Sequence, residues 1–99
     1  MKIAFASEGK SVDALISEKG GRAPYILIFE DGALIESIKN PFAVGSGGAG
    51  FSVAHLIAEK GVGLFVCGKI GGNMKGALEN KSIEFKEAEG KIEDVLSSI

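Results

Sequence analysis

The chain has 99 residues, 45% of them hydrophobic, and a formal net charge of -2. That hydrophobic share excludes a disordered chain, the absence of a basic excess argues against nucleic-acid binding, and no apolar run approaches the ~20 residues that span a bilayer. One cysteine, Cys67, excludes an internal disulfide framework, so the expectation is one soluble cytoplasmic domain over residues 1–99, with no membrane partner.

Met1-Lys2 leads directly into a strand pattern, Lys2 to Ser7, with no leader-like segment before it. Glu8 to Arg22 is polar and irregular, and its Val12, Leu15 and Ile16 suggest a short helical turn pinned to the core. Pro24 biases Ala23 to extended backbone. Tyr25 to Phe29 is almost continuously apolar, as in a strand buried on both faces. Glu30-Asp31-Gly32-Ala33 reads as a hairpin turn, Leu34 to Lys39 as the return strand, and Asn40-Pro41 as its stop.

The glycine run Gly45-Ser46-Gly47-Gly48-Ala49-Gly50 opens into a helix pattern, Ala49 to Lys60. Phe51, Ala54 and Ala58 are expected on its buried face with Val53 and Ile57 beside them, and Ser52, His55 and Glu59 on its polar stripe. Gly61 ends it. Val62 to Cys67 reads as a buried strand, followed by a second glycine loop, Gly68-Lys69-Ile70-Gly71-Gly72-Asn73. Asn73 is expected to cap a short helix to Asn80, with Met74, Ala77 and Leu78 inward. Ile83 to Lys86 reads as the last strand and Glu89 to Ile99 as the last helix.

Strand–helix–strand units demand parallel pairing, and the hairpin demands one antiparallel strand. The expected fold class is therefore α/β, a five-stranded mixed sheet with helices on both faces. If the first two strands pair antiparallel, the loops Ser7 to Arg22, Asn40 to Gly50 and Gly68 to Asn73 meet at one sheet edge, where open α/β sheets bind ligands. Glycine loops at helix N-termini bind anions through unpaired backbone N–H groups. The candidate contacts are Gly47, Gly48, Gly50, Gly71, Gly72 and Asn73, with Arg22 and Lys69 supplying charge. Against this stands the plainer reading that the glycines solve turns and tight packing, and that the cations are solvated.

Four pieces of sequence carry a resemblance. They are the opening Met1-Lys2-Ile3-Ala4-Phe5-Ala6-Ser7, Gly21-Arg22-Ala23-Pro24-Tyr25, Asn40-Pro41 with the Gly45 to Gly50 run, and Gly68 to Asn73. In this order they resemble the dinitrogenase iron-molybdenum cofactor biosynthesis family, the NifX-like carriers and their small stand-alone relatives, over nearly the whole chain. The resemblance implies a ribonuclease-H-like three-layer fold. It also implies a non-catalytic carrier of an anionic iron–sulfur or iron–molybdenum-type cluster or its precursor, with a cluster-assembly protein as partner. Cluster-binding relatives often carry His-Phe-Gly-Arg before Ala-Pro-Tyr. Here Lys19-Gly20-Gly21-Arg22 stands there, and a protonated lysine attracts an anion but ligates no metal.

Cys67 is the candidate metal ligand, because soft sulfur suits iron clusters; the alternative is a buried structural thiol. His55, the sole histidine, reads as a solvated side chain, and Met74 as core. No nucleophile–base pair or P-loop spacing is present. Two other readings stay open. One is a small enzyme or binding protein for a phosphorylated metabolite at the glycine loops. The other is an interaction module of an iron–sulfur assembly system, as a monomer or homodimer.

Overall fold

The computed structural model describes residues 1–45 and 47–99; Ser46, within the first glycine run, lies outside them. Five strands, β1 (Lys2–Ser7), β2 (Tyr25–Glu30), β3 (Ala33–Lys39), β4 (Val62–Cys67) and β5 (Glu84–Glu87), form one sheet in the order β3-β2-β1-β4-β5. Three helices, α1 (Ala49–Glu59), α2 (Gly72–Asn80) and α3 (Ile92–Ser98), complete the α/β architecture. The β2–β3 turn has Asp31 at φ 51 and Gly32 at φ 83. Positive φ at both central residues matches the twist of a two-residue hairpin, which is why Asp-Gly sits there.

The central strands are apolar on successive residues because both sheet faces are covered. On one face Ala4, Ala6, Ile26, Ile28, Phe65 and Cys67 pack with Val53, Ala54 and Ile57 of α1 and Met74, Ala77 and Leu78 of α2. On the other, Phe5, Leu27, Phe29 and Val66 pack with Ile16 and with Ile92 of α3. Phe5 and Phe29 meet edge to face there, with centroids 5.5 Å apart.

β1 pairs antiparallel with β2 and parallel with β4, and β2 pairs antiparallel with β3. β1, β3 and β4 therefore run the same way, and the loops after all three emerge at one edge. The sequence-based condition on β1 and β2 is met.

Several expectations are corrected. Residues 8–22 hold no helix; they form a strap of turns and isolated bridges. Only Ile16 of its apolar trio is buried, while Leu15 is 57% exposed. The strap's backbone bonds go outward: Ser17 N–H to Ala6 C=O (2.8 Å), and Ser17 C=O and Glu18 C=O from Gly68 and Lys69 N–H (2.8 and 2.7 Å). Phe51 is 54% exposed rather than buried. At 3.6 residues per turn Phe51 and Val53 lie on opposite sides of a helix, and Ala49, Val53, Ala54 and Ile57 win the buried side. Asn73 caps nothing: Gly71 takes the extended N-cap position, which puts Asn73 inside the first turn of α2. The last strand runs one residue later than expected. Glu89 and Gly90 lie outside α3, since Gly90 has φ +106 and its carbonyl accepts from Ile16 N–H at 2.8 Å.

Candidate functional site

The strap, the first glycine run and the second glycine loop enclose an open cleft of about 550 Å³. Lys19, Arg22, Gly50, Lys69, Gly71, Gly72 and Asn73 all line it, as do Glu18, Gly20, Gly21 and Met74. Lys19 and Lys69 are bridge partners on adjacent parallel segments, so their Cα atoms are neighbours across one strand spacing. Among the described residues neither ammonium is paired with a carboxylate. Three cations and the Glu18 carboxylate give the lining a positive balance in a chain whose net charge is -2.

Two helix N-termini supply polar donors. Among the described residues neither α1 nor α2 has a side-chain cap, and neither has an acidic residue in its first turn. In α2 the first returning bond is Lys75 N–H to Gly71 C=O, at 2.9 Å. The N–H groups of Gly72, Asn73 and Met74 therefore precede any intrahelical acceptor. They stand at the positive end of the helix dipole.

The glycines divide by function. A Cβ on Gly21 meets the backbone N of Gly50 at 2.9 Å, and one on Gly50 meets Met74 Cβ at 2.9 Å. These two glycines let strap, α1 and α2 touch through their main chains. Gly48 is the N-cap of α1 at φ 73, a left-handed conformation that suits glycine. Gly47 and Gly48 do not line the cleft, so among the described residues of the first run Ala49 and Gly50 reach it. Gly71 and Gly72 have ordinary φ and nothing within 4 Å of a Cβ. Neither backbone strain nor protein packing requires glycine there; the space they leave is cleft.

Cys67 is fully buried and absent from the lining. Its Sγ lies 3.3 Å from the Cβ position of Gly20, and Met74 Sδ lies 2.9 Å from the same point. Gly20 thus covers both sulfurs. Burial pushes the Cys67 thiol up to about 11, the Glu87 carboxylate on β5 adds to this, and the Lys69 N–H opposes it. His55 is outside the cleft, exposed on α1 and 3.5 Å from Glu59. Among the described residues no three His, Cys, Asp or Glu side chains are grouped to hold a metal ion.

Two residues of consequence escaped sequence reasoning. Asn40, 4% exposed, donates from Nδ2 to Gly21 C=O (3.0 Å) and Ala23 C=O (2.8 Å) and accepts Phe42 N–H on Oδ1 (2.9 Å). Glu87 accepts Ile70 N–H at 2.8 Å and so fixes the second glycine loop. Asn before Pro signals only a turn, and a charge in a polar strand signals only solvent.

The family model described as "Dinitrogenase iron-molybdenum cofactor" matches residues 1–99. The chain belongs to this family. Among solved structures, this member of the iron-molybdenum cofactor family is similar to the apo form of the orange protein from Desulfovibrio gigas. Identity is 27%, the TM-score is 0.90, and the match covers 97% of this chain and 83% of that one. A Thermotoga protein provisionally described as NifB matches at 23% identity and TM-score 0.81, over 98% of this chain and 84% of that one, a likeness of fold. A search of curated proteins gave no match. Among the described residues of this family member, no helix is long and apolar enough to cross a membrane.

Proposed function

We propose that this protein is a non-catalytic carrier whose cargo is an anionic iron–sulfur or iron–molybdenum-type cluster, or its precursor, held in the three-loop cleft. One observation carries the reading: two helix N-termini whose N-cap residues are glycines and three cations converge on one open cleft, in a member of the iron-molybdenum cofactor family. The donor set is N–H groups and cations, which suits a negatively charged cargo that brings its own sulfur and metal. Lys19, Arg22 and Lys69 supply the charge. Backbone N–H groups of Gly50, Gly71, Gly72 and Asn73 supply directional contacts, and Gly47 and Gly48 shape the loop that leads into α1. The first hold is electrostatic. Direct ligation by Cys67 belongs to a later state in which Gly20 lifts and the thiol loses its proton. A cluster-assembly protein is the donor or receiver in this reading. The strand order β3-β2-β1-β4-β5 with β2 antiparallel supports reading the topology as ribonuclease-H-like.

Anaerobic incubation with ferrous iron and sulfide, followed by desalting, visible absorbance and iron analysis per chain, tests the reading. Iron is expected to be retained in proportion to protein, and about tenfold less firmly in Lys69→Ala, the loss of one charge-assisted contact. Colourless protein without iron sinks the carrier reading.

A further inference from the structure

Arg22 is the only arginine in the chain, and Asn40 holds it from two sides. The Asn40 amide donates to the carbonyls of Gly21 and Ala23, the residues that flank Arg22. Asn40 Oδ1 also takes the N–H of Phe42, and the Phe42 carbonyl accepts from Arg22 Nη1 at 3.4 Å. One buried side chain therefore fixes both the backbone that launches Arg22 and the carbonyl that receives its guanidinium. The same bond to Gly21 holds that glycine against the first turn of α1 at Gly50.

We propose that Asn40 is a positioning residue for the cleft: it sets where the Arg22 guanidinium stands relative to the helix N-termini. Asparagine is suited to this task. It offers two donors and an acceptor without charge, so it serves two carbonyls and an N–H at once. Aspartate keeps the acceptor but turns a carboxylate oxygen on the two carbonyls. Serine is too short to span them. The Arg22 bond to Phe42 is long for a hydrogen bond, so the guanidinium depends on the loop being held in register. The inference rests on the cleft being the cargo site.

The test uses the whole chain and the single Arg22 Nε–H signal in a 15N correlation spectrum, with iron and sulfide as the probe. In the unmodified protein the Arg22 Nε is expected to be as rigid as the backbone by heteronuclear NOE. In Asn40→Ser, shown to be folded by signal dispersion, the Arg22 signal is expected to move to the free-arginine position. Iron retention is expected to fall about tenfold. Arg22→Ala is expected to lose as much, and the double variant no more than either. A role confined to stability lowers the melting temperature but leaves the Arg22 signal in place, and that result overturns the proposal. Equal iron loss from Asn40→Ser in the Arg22→Ala background overturns it as well. If Asn40→Ser fails to fold, a mobile Arg22 Nε in the unmodified protein still overturns it. Unmodified protein that retains no iron sinks the cargo reading instead, while the Arg22 signal continues to decide whether Asn40 places the guanidinium.

Discussion

The ammonium of Lys2 on β1 donates to the carbonyl oxygen of Lys60, the C-cap of α1, at 3.0 Å. α1 has no basic residue in its own last turn, so a strand distant in sequence supplies the cation that its C-terminal carbonyls and dipole favour. Lys2→Ala is expected to cost about 1 kcal/mol, which is a fall of roughly 4–8 °C in melting temperature for a domain of this size. Thermal denaturation followed by circular dichroism checks this. The neighbouring Lys60–Glu36 pair, 2.9 Å apart with both side chains more than a third exposed, is expected to matter less, because solvent screens it.

The glycines of the cleft separate packing from binding. Gly21→Ala drives a Cβ into the backbone of Gly50 and is expected to destabilise by about 1–3 kcal/mol, the range for overpacking. Gly72→Ala meets nothing within 4 Å and is expected to leave stability unchanged or raise it by a few tenths of a kcal/mol, by stiffening the unfolded chain. It nevertheless fills cleft space, so iron retention is expected to fall. Melting curves and iron analysis on the same two proteins give the comparison. If Gly72→Ala binds iron as well as the unmodified chain, the α2 N-terminus does not contact the cargo.

Cys67 has a thiol held up near 11 from an ordinary 9.0. The folded state therefore keeps its proton where the unfolded state has lost it. Stability from this residue is full below pH 9.0 and declines as pH rises toward 11, because the unfolded chain gains by ionising first. The decline is up to about 2 kcal/mol by linkage, and Cys67→Ala is expected to lack it. Urea denaturation of both proteins across that range measures the difference. At pH 8 the native thiol is also expected to react slowly with a soluble disulfide reagent and rapidly after unfolding.

The two glycine loops suggest a salt-sensitive site. Lys19→Ala and Lys69→Ala are each expected to flatten the dependence of iron retention on ionic strength, since each removes an exposed charge whose attraction salt screens. Retention measured at low and moderate salt reads this out. An unchanged slope in both variants would place the cargo away from the lysine pair.

Much of this molecule is written in local pattern. β1 and β4 follow their apolar runs to the residue, and Asp31-Gly32 marks the hairpin because only a few residue types accept its backbone angles. The convergence of three loops followed from strand direction alone. The strap was illegible because its order comes from partners far off in sequence, at Ala6, Gly68 and Gly90, and no periodicity records them. Phe51 misled because hydrophobicity argues for burial whereas its angular position on α1 forbids it. Asn40 was read as a stop signal, since its three hydrogen bonds exist only after β3 and the strap have come together.

The strap also reaches the far side of the sheet. Ile92 and Glu93 at the start of α3 donate to Ala14 and Val12 carbonyls, at 3.0 and 2.9 Å. α3 has seven residues, too few to persist alone in water. Its first turn is therefore completed by the same segment that carries Lys19 and Arg22 to the cleft. α3 and the cleft are thus joined through one segment, and they are expected to open together: lifting the strap would free α3, and unravelling α3 would loosen the rim on which two of the three cations stand. A probe attached at Ile99 is therefore expected to report on the cleft although it sits on the opposite layer.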